Sequence, residues 1–159
     1  MLLSMPVMTL CVAALLAGAG AVFAFSRRVP AALITFAALM VARLSCMTAL
    51  DGEALWFWGA AALIAAGIGY LEPSPAPRAC RIYTVAGALA GAFVGLVAGT
   101  STWVIVASAA GAALGYLAYS RTPGGIASGA AMRWSALAGL GLPAVVNFSM
   151  LMLIFAQLL

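Results

Sequence analysis

Arginine is the only basic side chain in this sequence, and one of its seven copies stands where a loop cannot account for it. Arg43 follows Pro30 by thirteen residues within an apolar run. On a helix rising 1.5 Å per residue it lies roughly 20 Å from the inner boundary of that run, in the outer part of the bilayer. A charge at such a depth costs on the order of 3 kcal/mol. Two readings offset that cost. The side chain can snorkel outward towards Asp51 and Glu53. Alternatively, it meets other polar groups at its own level. Asn147, fourteen residues beyond Arg133, and Ser108, twelve before Ser120, sit at about 21 and 18 Å by the same arithmetic. Polar groups in lipid face the bundle interior and pair with one another. The expectation is therefore a polar layer of Arg43, Ser108 and Asn147, joined by Ser45 or Ser149. It would act as structural glue or as a site for an anionic ligand or lipid head group. For Thr35, Thr48 and Ser149 the default is a bond back to the i−4 carbonyl.

Little other chemistry is on offer. There is no His and no Lys, which removes the commonest general base near neutral pH and any Schiff-base or phosphate-loop lysine. The three acids, Asp51, Glu53 and Glu72, fall near the ends of apolar runs. Cys11, Cys46 and Cys80 are far apart, without metal-ligand spacing, and read as small apolar residues. The sequence thus predicts no catalytic residues, no metal, no cofactor and no nucleic-acid partner.

The elements that position these residues are apolar spans. The chain has 159 residues, 67% of them hydrophobic and only 6% charged, against about 25% charged in a soluble domain. Mean hydropathy is +1.20. The expected fold is an all-α polytopic bundle forming one integral membrane domain over 1–159. Six spans are expected, at about 2–25, 30–50, 54–71, 82–98, 103–119 and 133–158. The first lacks a charged leader region and reads as a retained span. A version with five spans, the first segment lying in the interface, is the rival. The prolines of 73–77 and a flexible stretch at 120–132 read as loops, and Pro143 as a kink in the last span. Arg27, Arg28, Arg78, Arg81, Arg121 and Arg133 then fall on one side, which the positive-inside rule makes cytoplasmic, with both termini outside. Trp56, Trp58 and Trp103 are expected at the outer interface, and Tyr70, Tyr83, Tyr116, Tyr119 and Trp134 at the inner one. Gln157 reads as interfacial, and the eight methionines as gap-fillers.

Small residues recur at intervals of four in the fourth and fifth spans. Gly87, Gly91, Gly95 and Gly99 line one helical face, and Ala107, Gly111 and Gly115 line another. Such faces let backbones approach closely in lipid, where apolar burial alone offers no driving force. The short turn between the spans makes them antiparallel neighbours. The two faces either meet within the chain or pack on another subunit, and a role lining a conduction path is a lesser alternative. The hairpin Ala86–Gly95 with Gly111–Gly115 resembles the core of a bacterial family of glycine-zipper membrane proteins known only as domain-of-unknown-function family 456. The segment from Glu53 to Leu71, with Trp56 and Trp58, and the long final span are similar in order, so the resemblance covers roughly 53–158. It departs at Ser26–Pro30, where that family tends to have a proline-glycine turn. The resemblance implies a multi-span inner-membrane protein with no assigned chemistry.

The functional expectation is a non-catalytic membrane protein: a scaffold or accessory subunit of a membrane complex, or a self-associating bundle. Its partners would be the bilayer, other membrane subunits or copies of itself, and a bound lipid. The alternative is a small transporter or channel for a small or anionic solute, using the layer around Arg43 and the Gly139–Pro143 interruption, since broken helices can mark transport sites. The expected location is a bacterial inner membrane.

Overall fold

The computed structural model describes residues 5–26, 30–44, 51–71, 77–127 and 134–158, the side chains of 5, 6, 134, 157 and 158 excepted. All its elements are helices: α1 (Met5–Phe23), α2 (Ala31–Leu44), α3 (Gly52–Leu71), α4 (Arg78–Val97), α5 (Ser101–Ser120), α6 (Pro123–Ala127) and α7 (Trp134–Leu158). Four stretches are long and apolar enough to cross a membrane: Gly52–Leu71, Arg78–Val97, Ser101–Ser120 and Ser135–Ala156. By length and composition the chain is an integral membrane protein. The apolar stretches Val7–Phe23 and Ala31–Leu44 are shorter. The 14 residues of α2 rise about 21 Å, less than the roughly 30 Å of a hydrocarbon core. Four full-length spans, rather than six, is thus what the described residues provide.

One helix organises the rest. α7 packs against α1, α2, α3, α4 and α5, while α1 packs on α2, α2 on α3, and α4 on α5. In its spanning window 67% of residues are buried, against 22–33% for the other three spans. α7 is therefore the central post, with α1–α3 on one side and the α4–α5 hairpin on the other. Its stripe Leu140, Ala144, Phe148, Leu151 and Met152 is buried. It stays helical through Pro143. Each outer helix turns one stripe inward: Thr35, Ala38, Leu39 and Ala42 on α2, and Leu55, Trp58, Ala62 and Ala65 on α3.

Helix boundaries follow local chemistry. α3 and α4 begin earlier than the apolar runs suggest, at Gly52 and Arg78, because nothing after Pro77 obstructs a helix and an arginine is a good helix former. α4 ends at Gly99, whose φ of +85° suits a residue without a Cβ. Thr100 then caps α5, its hydroxyl accepting from the Trp103 N–H at 3.4 Å. α6 stands where a loop was expected. The Gly125 N–H donates to the Thr122 hydroxyl at 3.1 Å, and Pro123 occupies the first helical position, where a missing N–H is harmless.

The aromatic frame differs from expectation in part. Trp56 is 84% exposed and Trp103 is exposed, but Trp58 is buried in the main core. Tyr116 and Tyr119 are buried with Cys80 and Leu140 in a second cluster, Tyr119 lying 6.0 Å from Tyr83 between ring centres. Trp58 belongs to the inward stripe of α3, so its face outweighs its place near a span end. Arg27, Arg28, Ser45, Cys46, Thr48 and Arg133, and the side chains of Trp134 and Gln157, lie outside the described residues.

Candidate functional site

The buried polar groups form two separate sets, one on each side of α7. Asn147 is fully buried on α7. The Thr35 hydroxyl of α2 donates to its Oδ1 at 2.5 Å, and its Nδ2 donates to the Gly20 carbonyl of α1 at 3.3 Å. That carbonyl also takes the intrahelical N–H of Ala24 at 3.0 Å. A single amide therefore fastens three helices. Gly20 is required there, because a Cβ at that position would overlap the Thr35 side chain. Thr35 does not bond back along α2 as expected, since Asn147 supplies a better-placed acceptor. Thr84 on α4 does, donating to the Cys80 carbonyl at 2.9 Å.

Ser108 belongs to the other side. Its hydroxyl donates to the Ala88 carbonyl at 3.0 Å, joining α5 to α4. This bond lies in the tightest helix contact of the molecule. A Cβ at Gly87 would overlap the Gly111 carbonyl, and one at Gly111 the Gly87 carbonyl. One at Gly91 would strike the Ala107 carbonyl, and one at Gly115 the Tyr83 carbonyl. At Gly95 it would stand 2.5 Å from the Cα of Val104. Backbone meets backbone along five glycines. Gly99 does not join them: a Cβ there meets nothing within 4 Å, and its part is the turn.

Arg43 joins neither set. It is exposed, and its guanidinium reaches the start of α3, with one terminal nitrogen 4.0 Å from where a Gly52 Cβ would stand. Among the described residues, Arg43, Ser108 and Asn147 do not come together. Ser149, fully inside, has a hydroxyl without a hydrogen-bond partner among the described residues. No three His, Cys, Asp or Glu side chains among the described residues gather closely enough to hold a metal ion.

What sequence reasoning missed is a cleft at the end where α1 and α3 finish and α2 and α4 begin. It has a volume of about 70 Å³ and reaches Pro143 on α7. Arg81 and Tyr70 stand on its wall. The signal for it was a cluster of alanines and glycines on α3 and α7 opposite a proline.

No family model, curated protein or solved structure matches the chain.

Proposed function

We propose that the chain is a non-catalytic packing subunit of the membrane, which associates with other membrane subunits or with copies of itself. The carrying observation is that the buried amide of Asn147 is occupied on both sides by Thr35 and Gly20. A polar group placed to handle a solute would need a free face. Here it ties helices together around a central post. The outward surface supports the same reading. Trp56, Phe57 and Ile64 on α3, and Phe93, Val94 and Val97 on α4, are exposed large apolar side chains suited to lipid or to another helix. The transport alternative drew on Arg43 facing Asn147, and it gains no support from an Arg43 turned towards α3.

Six crossings of a bacterial inner membrane, with the arginine-rich ends cytoplasmic, remain part of this proposal. The α1–α2 hairpin would supply two of these crossings. Membership in the glycine-zipper family of unknown function is likewise a proposal, supported by the spacing of Gly87 to Gly115.

Gentle extraction from the native membrane, followed by mass identification of the purified particle, tests the reading. A particle heavier than the 16.0 kDa chain, with a reproducible partner or an integral number of copies, is expected. A particle containing one chain alone would overturn it.

A further inference from the structure

A groove of about 330 Å³ opens at the end of the bundle where α3 and α5 begin and α7 finishes. α3 and α5 each pack on α7, and all three helices line the groove, α7 through Leu153. The walls change character along their length. On α5 the exposed Ser101 and Thr102 precede Ile105 and Val106 by one turn, so each pair shares a face. On α3 the exposed Glu53 precedes Phe57 by one turn in the same way, beside Ala54 and Trp58. Both walls are thus polar at the mouth and apolar below it. The two rims differ in sign. Glu53 is an anion. Across from it, the Trp103 N–H goes to the Thr100 hydroxyl, while those of Ser101 and Thr102 have no acceptor within the helix and stand at the positive end of its dipole. Arg43 comes to α3 beside Gly52, about 160° around the helix from Ala54. Gly59, on the Gly52 side, lies against Phe36 of α2, so the arginine approaches the face of α3 turned away from the groove.

Size and charge together select an occupant. One turn of a helix about 10 Å across and 5.4 Å long needs roughly 400 Å³, so a partner helix cannot enter, whereas an acyl chain one methylene wide can. We infer that the groove seats one zwitterionic phospholipid whose head group ends in a primary ammonium, of the phosphatidylethanolamine kind. Its ammonium donates to the Glu53 carboxylate. Its phosphate lies against the first turn of α5, where N–H groups and two hydroxyls can donate. One acyl chain runs down between Phe57 and Ile105 to Leu153. A purely anionic lipid would bring its charge beside Glu53 with no ammonium to offset it, and a quaternary ammonium has no N–H to donate. The inference rests on the chain standing in a bilayer and not on its having protein partners.

The test uses the whole chain in nanodiscs of phosphatidylethanolamine, phosphatidylcholine and phosphatidylglycerol in equal amounts with the same acyl chains, released into a mass spectrometer under native conditions. The wild-type chain is expected to retain one phosphatidylethanolamine in preference to the other two. Glu53→Gln, at an exposed position, should lower that preference about threefold, the scale of an exposed ion pair. Val106→Trp fills the groove and should abolish retention while helical content stays as in the wild type. Val94→Trp adds the same bulk at an exposed position of α4 and should leave retention unchanged. Equal retention of the three lipids by the wild type, or a preference for phosphatidylglycerol, would overturn the proposal without any variant. An unchanged preference in Glu53→Gln or undiminished retention by folded Val106→Trp would also overturn it. So would the loss of a second protein chain, rather than of a lipid, on Val106→Trp.

Discussion

The Thr35 hydroxyl donates to Oδ1 of Asn147 across 112 residues of sequence, and this bond links the second helix to the last. Both groups are fully buried. With the Gly20 carbonyl on the other side of the amide, it closes a polar junction between α1, α2 and α7. On the opposite flank of α7, α4 and α5 are held by close backbone approach and by the Ser108–Ala88 bond. Two modes of helix association therefore share one bundle.

The backbone approach makes the hairpin intolerant of a methyl group. Gly87→Ala or Gly111→Ala places a Cβ against a carbonyl that cannot move without its helix. Overpacking of this kind costs about 1–3 kcal/mol. Unfolding in a detergent titration should show that loss for either variant. Gly67→Ala, where the space is open, should stay within about 0.5 kcal/mol of wild type.

The turn glycine obeys a different rule. Gly99→Ala meets no neighbour but must hold φ at +85°, which costs about 1–2 kcal/mol for a residue with a Cβ. Gly99→Asn should recover part of the loss, because asparagine tolerates that region better. The same detergent titration, applied to both variants, reads the difference. Equal losses would show that the left-handed backbone is not what demands glycine.

Ser149 offers a gain. Its buried hydroxyl has no partner among the described residues, and an unsatisfied buried polar group costs about 1–3 kcal/mol. Ser149→Ala should therefore match or exceed wild-type stability, by up to about 1 kcal/mol after the lost contacts are counted. A thermal melt in bicelles checks this. A clear loss of stability would place an unseen partner on that hydroxyl.

Arg43, by contrast, should matter little to the fold. It is exposed, with a terminal nitrogen near Gly52 at the start of α3, and substitutions at exposed positions usually stay within about 0.5 kcal/mol. Arg43→Gln should leave the melting temperature close to wild type. A large drop would restore the arginine to the interior.

Sequence reasoning located the helices because apolar length and proline or glycine punctuation are local signals. An interval of four keeps Gly87, Gly91 and Gly95 on one face of α4, and in the structure that face lies against α5. Its error about the interior had a geometric cause. Counting residues from a boundary gives depth, but not the direction a side chain faces. Arg43 follows Ala42 by one residue, about 100° around the helix from it, at the edge of the stripe that carries Thr35. The buried partner of Asn147 was Thr35, visible only once Ala38, Leu39 and Ala42 mark the inward face of α2. Gly20 was less legible still, since it contributes a backbone carbonyl. Trp58 shows the same lesson on α3, inward with Leu55 and Ala62 while Trp56 faces out.

The central claim is that the buried amide holds helices together. A double-mutant cycle on Thr35→Val and Asn147→Leu, read as unfolding free energy in bicelles, tests it most directly. Side-chain bonds between membrane helices average about 0.6 kcal/mol and reach about 1.7. A coupling energy in that range, with both single variants less stable than wild type, is expected. Additive effects, with no coupling between the two positions, would contradict the claim and leave Asn147 without a structural reason to be where it is.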